Sequence, residues 1–203
     1  MWALVQDGTV TKTFNYAKGF VLNDTQYPKD IFTKWSKAEK EAIGIYEVIV
    51  DKTNYKDSEY YNNTNSTIAF ANNQVTESWG TATAKRLVDE NAVDEDGNPI
   101  LEDGVQVINY GLKTEKKRIV KDQAAGLLAK TDWYVVKATE VADYTVPANI
   151  TTYRAAVRTR SNEMETAIDN AADVDALKTL YEYTEQADGT STRPLGEWPE
   201  EVI

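Results

Sequence analysis

Neither cysteine nor histidine occurs in the 203 residues of this chain. Without cysteine there are no disulfides, thiolate zinc sites, iron–sulfur ligation or cysteine nucleophiles. Without histidine the chain lacks the side chain whose ordinary pKa lies nearest neutrality, so Ser-His-Asp and Cys-His chemistry and imidazole metal ligation are all excluded. Positive charge is also scarce. Lys and Arg number 22 against 33 Asp and Glu, a net charge of -11, which argues against nucleic acid or an anionic membrane as a partner. No apolar run approaches the roughly 18 residues of a membrane span, and the start Met-Trp-Ala-Leu-Val-Gln-Asp-Gly lacks the basic-then-apolar pattern of a secretion signal. The expectation is folding in a cytoplasm.

Nucleotide chemistry lacks its motifs too. There is no Gly-x-x-x-x-Gly-Lys loop and no Gly-x-Gly-x-x-Gly after a strand, so no cofactor is expected. Carboxylate pairs could in principle serve a glycosidase, but with 33 acidic residues accidental pairs are unavoidable and nothing selects two of them. The reading is of a protein that is not an enzyme.

What is present reads as small α+β units. Trp2 to Val5 and Val10 to Tyr16 are β-prone runs around Asp7-Gly8, which supplies the positive φ of a tight hairpin. Tyr27-Pro28 ends the extended stretch, Lys29 to Trp35 forms a turn or short helix, and Ser36-Lys37-Ala38-Glu39 has capping-box spacing. Gly44 supplies a helix stop, and Ile45 to Val50 a strand. Thr67 to Ala71 and Gln74 to Trp79, joined by Asn72-Asn73, predict a second hairpin. With no parallel crossover in view, the expected N-terminal domain, residues 1–92, is a small antiparallel sheet with short helices.

The run Asp94-Glu95-Asp96-Gly97-Asn98-Pro99 marks residues 93–110 as an acidic linker or exposed loop. Its alternating oxygens invite a calcium reading, but Gly97 and Pro99 stand in the wrong places for an EF-hand loop, and a solvated turn is the default. Residues 111–182 read as a helical domain of two longer helices and a short one. Leu112 to Lys130 carries Ile119, Val120, Ala124, Leu127 and Leu128 on a broad face, with Lys116 intruding. Its basic run, Lys113, Lys116, Lys117, Arg118 and Lys121, reads as a solvated helix end. Ile150 to Ala171 has the cleaner stripe: Ile150, Tyr153, Val157, Met164, Ile168 and Ala171. Arg154, Arg158, Glu165 and Asp169 lie along one flank and could form a ladder of ion pairs. Asp173 caps a last helix, Val174 to Tyr181. Residues 183–203, with Pro194, Trp198 and Pro199, are expected as a surface tail or a partner contact.

Leu127, Leu128, Thr131, Asp132 and Trp133, followed after a linker containing Pro147 by Tyr153, Arg154 and Arg158, resemble the signature of tailed-phage tail and tail-fibre assembly proteins. The Tyr-Pro, Trp-Ser and Gly-Ile-Tyr pieces of the N-terminal half are similar to that family as well. The resemblance implies an assembly chaperone that binds a phage tail or tail-fibre structural protein in the host cytoplasm, or, alternatively, a structural component retained in the virion tail; a homo-oligomer stays open. The partner-binding candidates are Arg154, Arg158, Trp133, Tyr153 and Trp198. Trp133 and Tyr153 are also the simplest residues to lock two helices together across an irregular linker. Arg154 and Arg158 could equally serve carboxylates such as Asp132.

Overall fold

The computed structural model describes residues 1–202, and its packing separates Met1–Thr83 from the rest of the chain. The first unit contains β1 (Trp2–Gln6), β2 (Thr9–Phe14), β3 (Phe20–Leu22), β4 (Thr25–Tyr27), α1 (Ile31–Lys34), α2 (Lys37–Ala42), β5 (Ile45–Asp51), β6 (Tyr61–Asn62), β7 (Ser66–Ala71) and β8 (Gln74–Trp79), while β9 (Thr83–Ala84) straddles the division. Both expected hairpins form. Asp7 and Gly8 take φ of 50° and 74°, and Asn72 and Asn73 take 51° and 58°, the left-handed pair that matches the twist of the flanking strands.

The five long strands join in the order β2-β1-β5-β8-β7. Three of the four pairings are antiparallel, but β5 and β8 run parallel, with Val48 opposite Val75. The expectation of a purely antiparallel sheet is corrected. The chain between β5 and β8 is long enough for a crossover, and it lays β7 at the edge before β8 returns beside β5. The end strands β2 and β7 approach each other, so the sheet curls towards a barrel around Ala3, Val48 and Val75, with Val10, Ile68 and Phe70 packed on them. Its other face carries Leu4, Phe14 and Ile45, covered by Phe20 and by Ile31 and Phe32 of α1.

The predicted capping box on α2 is present: Glu39 N–H donates to Ser36 Oγ, and Ser36 N–H to Glu39 Oε2 at 2.8 Å. Gly44 then turns the chain at φ 80°, where a Cβ would stand 2.5 Å from the carbonyl oxygen of Val5. That close approach lets Val5 N–H reach Gly44 O at 2.8 Å.

The second unit opens with short strands β10 (Glu90–Asn91), β11 (Leu101–Glu102), β12 (Val105–Gln106) and β13 (Ile108–Asn109). Residues 93–110 are thus largely exposed, as a loop would be, but short strands tie them together. β10 pairs β13, β11 pairs β12, and Val93 bridges Pro99. The units part at Thr83 rather than near residue 92 because residues 84–92 are bonded to the chain on their C-terminal side: Leu112 and Lys113 N–H donate to Arg86 and Leu87 O. Asp89 accepts from Gly111 N–H at 2.8 Å and from Thr114 Oγ1 at 2.9 Å, capping the next helix from a distance. Asp94 accepts from the backbone of Asp96 and Asn98, a turn-forming role.

Helices α3 (Leu112–Ala129), α4 (Asp132–Glu140), α5 (Ala148–Asn170) and α6 (Val174–Thr179) come next, then a hairpin of β14 (Thr184–Glu185) and β15 (Ser191–Thr192). The α5 stripe is buried throughout, and Asp173 caps α6 by accepting from Ala176 N–H at 2.7 Å. On α3, Val120 and Ala124 are buried, but Ile119 is exposed, contrary to its expected place on the core face.

The expected ion-pair ladder along α5 is also corrected. Its acids reach across instead, Asp169 to Lys117 at 2.7 Å and Glu165 to Lys121 at 3.2 Å. These pairings step in opposite directions along the two helices, so α3 and α5 run antiparallel. The basic run of α3 is therefore divided: Lys116 is buried and Lys117 reaches α5, while Arg118 and Lys121 keep a solvated side. Lys116, buried, lies 4.6 Å from the centre of the Tyr181 ring.

Candidate functional site

The residues between Leu128 and Arg158 define one junction. Leu128 O, at the end of α3, accepts from Thr131 N–H, from Thr131 Oγ1 at 2.9 Å and from Arg154 Nη1 at 2.8 Å. Arg154 Nη1 also lies 2.7 Å from Thr131 Oγ1, and Arg154 Nη2 lies 2.8 Å from Asp132 Oδ1. Thr131 and Arg154 are both buried. One guanidinium fork from α5 therefore holds the end of α3 and the start of α4, using the planar multi-donor geometry that lysine lacks. Arg154 is a structural clamp rather than a free contact.

Tyr153, its neighbour, is buried against Ala124 and Val157, as a core role for it requires. Trp133 is not. The stretch after Thr131 is the helix α4 and not an irregular linker, and this places the indole outward with 52% of its surface exposed. Val135 and Val136, being β-branched, lower the helix propensity of this stretch. The clamp at Thr131, Asp132 in the first turn and Lys137 in the last favour the helix nonetheless.

Helix α4 buries none of its residues. Trp133 and Val136, three apart, share its outer side, and Val135 and the following Val141 are exposed as well. The Trp133 ring packs on Tyr134 with centroids 3.8 Å apart, and Lys137 lies over both Trp133 and Tyr144, at 5.8 and 4.4 Å. An aromatic anchor is thereby held in place without being covered. Arg158 is exposed one turn beyond Arg154, and its guanidinium makes a long contact of 3.4 Å to Arg154 O.

Trp198 lies elsewhere on the unit, half-buried on the Ala124, Tyr153 and Val157 cluster together with Leu127 and Leu128. Its indole Nε1 donates to Gln123 Oε1 at 3.1 Å. The expected surface tail is thus partly docked on its own helices, anchored by buried Leu195. Sequence reasoning missed Val135, Val136 and Val141 as exposed residues; the absence of Gly and Pro from Asp132 to Glu140 was the one available signal of a helix there.

Among the described residues no group of His, Cys, Asp and Glu is arranged to hold a metal, and no helix is long and apolar enough to cross a membrane. No family model, curated protein or solved structure matches this chain.

Proposed function

We propose that this protein assists tail or tail-fibre assembly in a tailed bacteriophage by binding a structural protein of the tail, and that α4 carries the contact. The supporting observation is the uncovered α4 surface, Trp133 with Val136, mounted on a junction fixed by Arg154. An exposed tryptophan packed on its helical neighbours has the character of an interface anchor, and aliphatic residues beside it exclude water once a partner covers them. The Leu127 to Arg158 resemblance supplies the biological setting. Arg158, exposed and weakly held, supplies a guanidinium for a carboxylate at the edge of the contact.

Co-expression with the tail-fibre or tail proteins encoded beside this chain tests the reading. The expected result is a rise in the soluble fraction of one of them, lost with Trp133→Ser. Unchanged solubility across that set, with the chain itself folded, would sink the proposal. Near-stoichiometric copies in purified virions would instead favour a structural component retained in the particle.

A further inference from the structure

Very little parts α3 from α4. Lys130 still has helical angles, φ -60° and ψ -22°, and only Thr131, at φ -115° and ψ 3°, leaves the helical course before Asp132 resumes it. Neither Gly nor Pro occurs from Leu127 to Val146, so no residue there ends a helix by its own chemistry. The break is imposed at Leu128 O. In an unbroken helix that carbonyl would accept from Asp132 N–H; here Thr131 N–H, Thr131 Oγ1 and Arg154 Nη1 converge on it. Side chains inserted into the ladder of helix bonds in this way are a known cause of a sharp bend. Arg154 Nη2 also ties down Asp132 itself.

Two further features suit α3 and α4 to run on as one helix. The inward stripe of α3, Val120, Ala124, Leu127 and Leu128, continues in phase through Thr131, Val135 and Ala138, yet Val135 is 43% exposed with the chain bent at Thr131. The register of α3 on α5 also leaves room. Lys117 meets Asp169 and Lys121 meets Glu165, so each step of four along α3 is a step of four back along α5. Carried through the break, that register sets Ala138 level with Ala148, the first residue of α5, and Glu140 level with Val146. Residues 141–147 would then only have to cross between adjacent helices, about 8–10 Å, whereas they reach roughly 23 Å when extended.

We infer that the α3–α4 junction is a conformational switch between the bent state held by Arg154 and a straight state, in which one helix from Leu112 to Glu140 lies along α5 and covers Val135. The straight state gains the bond from Asp132 N–H to Leu128 O and the burial of Val135. It forfeits the bonds of Arg154 to Thr131 and Asp132, which hold the unsubstituted chain bent. Val135 joins Trp133 and Val136 at the surface in the bent state alone, so a partner that covers all three selects that state. This consequence rests on the α4 contact proposed above; the two courses of the helix do not.

The chain contains no cysteine, so Ile119→Cys with Thr139→Cys, both at exposed positions, places a pair of spin labels at those two sites alone. On one straight helix their backbones stand roughly 30 Å apart, and a bend at Thr131 shortens that distance. Pulsed electron paramagnetic resonance of the labelled chain with Arg154 in place is expected to show a narrow distribution short of the straight-helix length. Arg154→Met should add a second narrow component at that length, holding the larger share of the molecules. An unfolded variant would give one broad band instead, and Arg154→Lys, which keeps the charge without the fork, then carries the test with a smaller straight component. A single unchanged short distance in folded Arg154→Met, or in Arg154→Lys where Arg154→Met does not fold, overturns the switch. The straight-helix length in the chain with Arg154 in place would overturn it too, since there would be no bend for the arginine to hold.

Discussion

Arg154 Nη2 lies 2.8 Å from Asp132 Oδ1, joining the second turn of α5 to the first residue of α4. The two ends of this pair differ in surroundings: the arginine side chain is 10% exposed and the aspartate 58%. Most of the clamp's strength therefore resides in the buried bonds to Leu128 O and Thr131 Oγ1, because solvent screens the ion pair.

Arg154→Met should therefore destabilise the second unit by about 2–4 kcal/mol, since it strips donors from buried acceptors. Asp132→Asn should cost less than about 1 kcal/mol. Arg154→Lys should fall between, retaining charge without the fork. Urea unfolding followed through helical circular dichroism measures all three, and equal losses for Arg154→Met and Asp132→Asn would contradict this division.

Trp133→Ser and Val136→Ser should behave in the opposite way. Both side chains are about half exposed on α4, so each substitution should change stability by no more than about 0.5 kcal/mol. Their effect should appear in partner binding, where loss of a central aromatic anchor typically costs about 2 kcal/mol or more. Thermal melts and isothermal titration with a solubilised tail protein separate the two readouts. A large loss of stability would show that the indole has a packing role.

The contrast between Trp133 and Tyr153 shows what was legible in the sequence. Tyr153 belongs to a stripe repeated over six turns of α5, and such a period fixes which side is buried. Hairpins with Asp-Gly or Asn-Asn centres and caps at Ser36 and Asp173 were equally readable, because each is local chemistry. Trp133 sits in a nine-residue helix whose sequence has few strong helix formers and whose start is fixed by an arginine 22 residues away. Long-range determinants of that kind leave no periodic trace. The parallel β5–β8 pairing and the Asp89 cap on α3 escaped for the same reason.

Two glycines with similar backbone angles should respond differently to alanine. Gly8 (φ 74°) has open space around a built Cβ, whereas at Gly44 (φ 80°) the Cβ would stand 2.5 Å from Val5 O. Gly8→Ala should cost about 1 kcal/mol, the left-handed strain alone. Gly44→Ala carries the same strain and must also displace the β1 backbone, so its loss should exceed that of Gly8→Ala by about 1 kcal/mol or more. Denaturant midpoints of the two variants decide the matter, and equal midpoints would mean that β1 yields freely at Val5.

Glu39 gives the pH prediction. Its carboxylate accepts from the Ser36 hydroxyl at 2.7 Å and from Ser36 N–H at 2.8 Å, and these bonds, the hydroxyl first, hold its pKa below the ordinary glutamate value of 4.5. The ionised form is favoured in the folded state, so the unfolded chain binds the proton more readily as pH falls. Stability from the capping box is accordingly complete above 4.5 and is lost as pH drops through the lower folded value. Carbon NMR titration of the Glu39 carboxyl should show a midpoint below the ordinary value of 4.5, and Ser36→Ala, which removes the hydroxyl bond, should move it upward. Glu39→Gln should remove this contribution to the acid dependence of unfolding while keeping an acceptor for Ser36. A Glu39 midpoint that Ser36→Ala leaves in place would mean that the hydroxyl bond is not what favours the carboxylate.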